Sequence, residues 1–214
     1  MSNEYENNMR FLPVFKFFDK YKKVIFLIIF TIIICIGYLV LSNQAKKQNN
    51  EKASVVYTEW LEEISLESPD TIKLDNMLKQ MLVEYENTGY AQLALLNKAS
   101  FDARNNNIEL SLMNFKKLIE LTDGYNGNKI FNKIARVSAS RLLLSNEQYD
   151  EALSFIEFYS SNDTNGYIHE LTGDILAKQN KIELALAQYE LASDKYNDET
   201  SQSIIAMKIA NLGM

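Results

Sequence analysis

Three carboxylates, Glu59, Glu62 and Glu63, fall within one helical turn and a half of each other, and paired carboxylates are common equipment for general acid–base work. No base, nucleophile or metal partner is spaced with them, so on a helix they read as a solvated face. The single histidine, His169, lacks the second histidine or cysteine that a zinc site needs. It reads as a helix-packing or surface residue. Lys73, Lys79 and Lys98 are scattered and read as surface charges. No glycine-rich phosphate loop, G-x-S-x-G or H-E-x-x-H occurs. The chain therefore offers no catalytic residue, no cofactor or metal site and no place for a small-molecule substrate. What remains is non-covalent contact, and the question becomes which elements present it.

The apolar run Val24–Leu41 holds 18 uncharged residues, 14 of them Val, Ile, Leu or Phe. As a helix it is roughly 27 Å long, close to the ~30 Å hydrocarbon thickness of a bilayer, and its insertion is favourable by roughly 4 to 8 kcal/mol before polar terms. Lys22 and Lys23 flank one end, Lys46 and Lys47 the other. The run is too long for a signal-peptide core, and SNQAKKQNN follows it without a small-x-small cleavage pattern. It shows no polar face, unlike the helix of a soluble core. The reading is an uncleaved transmembrane helix over 24–41, in contact with membrane lipid. Ahead of it lies an arm, 1–23, in which Phe11, Val14, Phe15 and Phe18 can share one face at the lipid interface. Behind it lies a polar stalk, 42–52. The arm carries five basic residues against three acidic, a net +2, which leaves −8 of the −6 total for everything after the span. An acidic domain excludes nucleic-acid backbones as partners. The basic arm favours a cytosolic N-terminus, which in a bacterium places 53–214 in the periplasm. The alternative is a cytosol-facing scaffold or assembly factor. Cys35, the only cysteine, sits inside the apolar run, so the large domain has no disulfide and cysteine usage does not choose between compartments.

Beyond the stalk, apolar positions recur at helical spacing, as in Ala53, Val56, Trp60 and Ile64. Asp70 caps a helix reaching Tyr85. Further helices are predicted over 90–105, 108–122, 129–145, 148–160, 166–179, 181–196 and 199–212, joined by short polar separators. No run alternates as a strand does. Helices of this length with short connections pair antiparallel, so the fold class is all-α. Within the pairs a spacing repeats. Gly173 on one helix is followed by Ala185, Tyr189 and Ala192 on the next. Ser140, Ala152 and Ile156 occupy the matching places one unit earlier, and Ala99, Ser111 and Phe115 the places before that. Ala152 and Ala185 lie 33 residues apart. Small residues let two helices approach closely, and the large one fills the groove beyond. This spacing resembles the tetratricopeptide repeat, which implies an α-solenoid of helical hairpins whose inner helices face a polypeptide partner. Asn97, Arg104, Arg136 and Arg141 are the polar first-helix residues singled out for that contact.

The order of elements carries a second resemblance. The arm FKFFDKYKK, a single span, KASVVYTEW, KIARV, LTGDIL and the C-terminal AMKIANL are similar to the ancillary SecYEG translocon subunit family. That resemblance implies a single-pass protein of the bacterial cell inner membrane, with a cytosolic N-terminus and a periplasmic repeat domain. It implies association with the SecYEG translocon and with a membrane-anchored periplasmic chaperone, and help in passing secreted proteins onward. A regulatory role for the cytosolic arm is implied as well. Thr172 stands in LTGDIL where an Arg is common in the family, which leaves any contact through that Arg unassigned. The resemblance brings no catalytic motif.

Overall fold

With few helix breakers and an apolar residue at every third or fourth position, the chain has one regular option. The computed structural model describes residues 2–125, 127–162 and 165–213, and leaves out the side chains of 2–16, 18, 19, 158 and 160–162. Phe11, Val14, Phe15 and Phe18 of the arm lie among these. Among the described residues there is no strand. The helices are α1 Ser2–Ile64, α2 Thr71–Glu84, α3 Gly89–Arg104, α4 Ile108–Thr122, α5 Lys129–Ser145, α6 Tyr149–Asn162, α7 Gly166–Lys178, α8 Ile182–Lys195 and α9 Glu199–Ala210. From α2 to α9 each end falls within two residues of the position read from the sequence.

The chain divides into two units, residues 1–52 and 53–214. In the first, the apolar stretch is long enough to cross a membrane, and none of its most apolar window is buried. Val24, the five residues 26–30, Ile32, Ile33, Ile34, Ile36, Leu39, Val40 and Leu41 all expose apolar side chains. The polar Thr31 hydroxyl donates back to the Leu27 carbonyl at 2.8 Å, so it brings no unsatisfied donor to an apolar medium. Residues 42–52 are helical throughout.

In the second unit the last turns of α1 and helices α2 to α9 stack as sequential pairs. The core forms three successive clusters. The first gathers Trp60, Leu74, Met81, Leu95, Phe115 and Leu118. The second holds Leu143, Ile156, Leu171 and Ile175, and the third Leu176, Tyr189 and Ile205. Each helix meets its neighbours in sequence, and the first helices also touch one another, α3 with α5 and α5 with α7. Each pair buries its face on the next, the arrangement of a solenoid.

The turn inside each pair is built the same way three times. α3, α5 and α7 end in a left-handed residue, Asn106 at φ 59°, Glu147 at 61° and Asn180 at 60°. The following amide then reaches back to the helix: Asn107 N to Asp102 O at 2.8 Å, Gln148 N to Leu143 O at 2.9 Å and Lys181 N to Leu176 O at 2.9 Å. This Schellman closure satisfies orphan carbonyls and reverses the chain in two or three residues. Helix starts are capped by side chains: Asp70, Thr88, Asn128, Asn165 and Asp198 each accept from an amide of the following turn. The longer α4–α5 connection turns at Gly127, where a Cβ would lie 2.1 Å from the Thr122 carbonyl oxygen; only glycine fits there.

Of the three left-handed positions, Glu147 bears the side chain least suited to it. Glu147→Gly is expected to stabilise the fold by up to about 1 kcal/mol, read as a higher urea midpoint. An unchanged or lower midpoint would contradict this account of the turn.

Candidate functional site

The candidate surface is the row of first helices, and the joints between paired helices fix its shape. In the first joint the Ser111 hydroxyl donates to the Ala99 carbonyl at 2.8 Å, with Phe115 buried beside it. In the second the bond runs the other way, Ser140 Oγ to Ala152 O at 2.8 Å, with Ile156 buried. In the third, Gly173 faces the ring of Tyr189, and a Cβ at 173 would stand 2.6 Å from two ring carbons. Ala185 and Ala192 complete that joint at zero exposure. All ten residues are buried.

The four polar first-helix residues separate into two kinds. Asn97 donates to the Tyr57 hydroxyl at 3.0 Å, and Arg136 donates through Nε to Asn132 Oδ1 at 2.9 Å; both side chains are used within the domain. Arg104 and Arg141 are exposed on α3 and α5. The structure does not bring the four together as one cluster.

Two sequence readings need correction. Lys98 is not a surface charge: it is 3% exposed. Its ammonium donates to both oxygens of the buried Asp102, at 2.8 and 2.9 Å, and meets Asp75 at 2.9 Å. Asn114 donates to the same carboxylate at 3.1 Å, so this charge is buried because it is fully partnered. Burial would lower the Lys98 pKa, but the two carboxylates outweigh it and hold it above the ordinary value. Glu63 likewise does not face solvent. Its carboxylate accepts from the Asp70 amide at 3.0 Å and pairs with Lys73 across the α1–α2 turn, and these hydrogen bonds depress its pKa. Glu59 and Glu62 are exposed. His169 pairs through Nδ1 with Gln188 Oε1 at 2.9 Å, joining α7 to α8.

Two polar hubs were not singled out in the sequence. Asn132 donates to the Ile119 carbonyl and Thr122 Oγ1, and accepts from Arg136 and from the Tyr159 hydroxyl, tying α4, α5 and α6. At the far end, Lys208 of α9 donates to Glu170 Oε1 and to both oxygens of Asp174, each at 2.7 Å. Tyr189 and Tyr196 donate to the same two carboxylates at 2.9 and 2.5 Å. Burial alone would raise the Glu170 pKa, but Lys208 and Tyr196 outweigh it and hold it below 4.5. The i,i+4 pairs Lys98–Asp102 and Glu170–Asp174 are visible in the sequence, but their third partners come from other helices.

No group of three or more His, Cys, Asp or Glu able to hold a metal stands among the described residues.

Comparison with known proteins adds the following. A family model described as a tetratricopeptide repeat-like domain matches residues 16–214. A curated protein of Neisseria gonorrhoeae (strain ATCC 700825 / FA 1090), named "Ancillary SecYEG translocon subunit", is 26% identical over 207 residues, covering 94% of this chain and 95% of its own. No solved structure matches.

Gly173→Ala is expected to cost about 1–3 kcal/mol through overpacking, with partial recovery on adding Tyr189→Leu. Urea denaturation measures both, and equal midpoints for wild type and Gly173→Ala would refute the close approach. The Glu170–Lys208 pair gives a pH dependence of known sign. A carboxylate held below 4.5 stabilises the fold above that pH and loses its contribution as the pH falls through the depressed value. The thermal unfolding temperature should therefore fall more in the wild type than in Lys208→Met as the pH is lowered through 4.5 and below. Parallel curves would remove the pair from the account.

Proposed function

The chain belongs to the tetratricopeptide repeat-like domain family, and from that premise we propose that it is a non-enzymatic, membrane-anchored module that holds polypeptides at the Sec translocon. The observation that carries this reading is the similarity along 94% of the chain to a protein named as an ancillary SecYEG translocon subunit. Two features of the molecule support it. The apolar stretch 24–41, exposed at every position but the half-buried Ile25, supplies a lipid anchor. The first helices of the stack, with Arg104 and Arg141 exposed on them, supply a polypeptide-sized surface without a reactive centre.

The finer reading follows from charge and resemblance. The arm 1–23, at net +2, stays in the cytosol, and the acidic domain 53–214 faces the periplasm of the inner membrane. There the stack receives emerging secreted proteins and passes them to a membrane-anchored periplasmic chaperone, while the arm meets a regulatory partner on the other side. The division of labour is physical: the anchor raises the local concentration of the repeat surface at the membrane, and the surface binds without converting.

Orientation is tested with one cysteine. In a Cys35→Ser background, Tyr125→Cys places a thiol at a side chain that is 98% exposed. Labelling of intact cells by a membrane-impermeant thiol reagent is the expected result. Protection until lysis would reverse the topology and favour the cytosol-facing scaffold. Crosslinking in membranes followed by affinity capture of the full chain is expected to recover translocon subunits, and their consistent absence would remove the assignment to the translocon.

A further inference from the structure

Between the last turns of α1 and helix α2 runs a groove of about 670 Å³. Its floor is hydrocarbon. Val56 of α1 and Met77 of α2 line it, both half-buried against the first core cluster, and Leu66, 55% exposed, joins them. The spacing of the two helices is fixed at this place. The Trp60 indole donates to the Leu74 carbonyl at 3.2 Å, and the Glu63–Lys73 pair spans the same gap. The rim is acidic. Glu59 and Glu62 line the groove and are exposed, and neither closes a hydrogen bond or an ion pair among the described residues. With Glu63, three carboxylates stand against the single ammonium of Lys73, which leaves the lining at a net charge of −2. Three residues apart on one helix, Glu59 and Glu62 are neighbours, and like charges so placed repel.

We propose that this groove docks a basic amphipathic segment of a partner polypeptide, with its apolar side chain on Val56 and Met77 and its arginine or lysine heads on Glu59 and Glu62. Charge complementarity selects the occupant. An acidic segment is repelled by the rim, and an uncharged one would cover two carboxylates without pairing them, which costs free energy. A bare cation leaves the apolar floor uncovered. Arginine and lysine satisfy both parts of the site, because their hydrocarbon stems lie along an apolar surface while the charged head reaches the rim. Arginine fits best, since its planar fork pairs a carboxylate through two parallel N–H···O bonds. Met77 adds a flexible thioether that adapts to apolar groups of differing shape. No residue lining the groove belongs to α3, α5 or α7, so the site stands whether or not the row of first helices holds secreted proteins.

The probe is a fluorescent peptide of alternating arginine and leucine. It is titrated with the full-length protein in phosphatidylcholine nanodiscs and followed by anisotropy, with empty nanodiscs as the blank. Saturable binding is expected, weakened about tenfold when Glu59→Gln and Glu62→Gln are combined. Both carboxylates are exposed, so the double variant should keep the wild-type unfolding temperature, which separates lost docking from lost folding. Glu183→Gln with Glu190→Gln, a pair of exposed carboxylates on α8, should leave the affinity unchanged. A peptide with serine in place of leucine should bind about tenfold more weakly. Absence of saturable binding, or binding indifferent to the Glu59 and Glu62 changes, overturns the proposal. So does an equal loss in the α8 variant, or equal affinity for the arginine–serine peptide, because either would reduce the effect to general attraction by an acidic surface.

Discussion

Everything in the second unit depends on how closely two helices can approach at one point in each pair. Side chains normally keep helix axes about 8–10 Å apart. At Gly173 the Tyr189 ring takes the space that a side chain would fill. At the other two joints a serine hydroxyl reaches the facing backbone and satisfies itself on a carbonyl. Because a buried hydroxyl without a partner costs free energy, those serines are tolerated only where the partner helix comes close enough. The same closeness sets how each pair leans, and hence where the next pair starts.

Stacking then spreads stability over joints instead of concentrating it in one core. Each cluster is bounded by its neighbours, so the fold behaves as a chain of local interfaces. Apolar packing alone would leave register between such similar faces weakly specified. The buried polar hubs meet that need: Lys98, Asp75, Asp102 and Asn114 join α2, α3 and α4, and Asn132 joins α4, α5 and α6. A slip of one turn would leave a buried charge or amide unpaired, which is costly. Lys208 does the same at the end of the stack.

Much of this was legible in the residue pattern. The helices followed from 3.6-residue periodicity with few breakers, and the joint residues from the recurrence of small and large side chains such as Gly173 and Tyr189. What stayed hidden was the third partner of each polar group. Lys98 looks like any surface lysine in the sequence, because its burial depends on Asp75 and Asn114, brought to it by other helices. Glu63 is covered for the same reason: its partners Asp70 and Lys73 lie across a turn. Spacing reports which face of a helix is apolar, but not which polar residue on its margin another helix will cover. Asn97 and Arg136 show the converse, polar side chains that suggest a ligand and are instead bonded within the domain.

The central claim is that the row of first helices holds polypeptides passing the membrane. The most direct measurement places a photocrosslinking amino acid at Arg104 or Arg141 in the full chain, in membranes engaged in export of a secreted protein. A matched probe sits at Met113, exposed on α4. The account predicts crosslinks from both first-helix positions to the protein in transit and few from α4. Equal yields from all three, or none from the first helices while export proceeds, would contradict it.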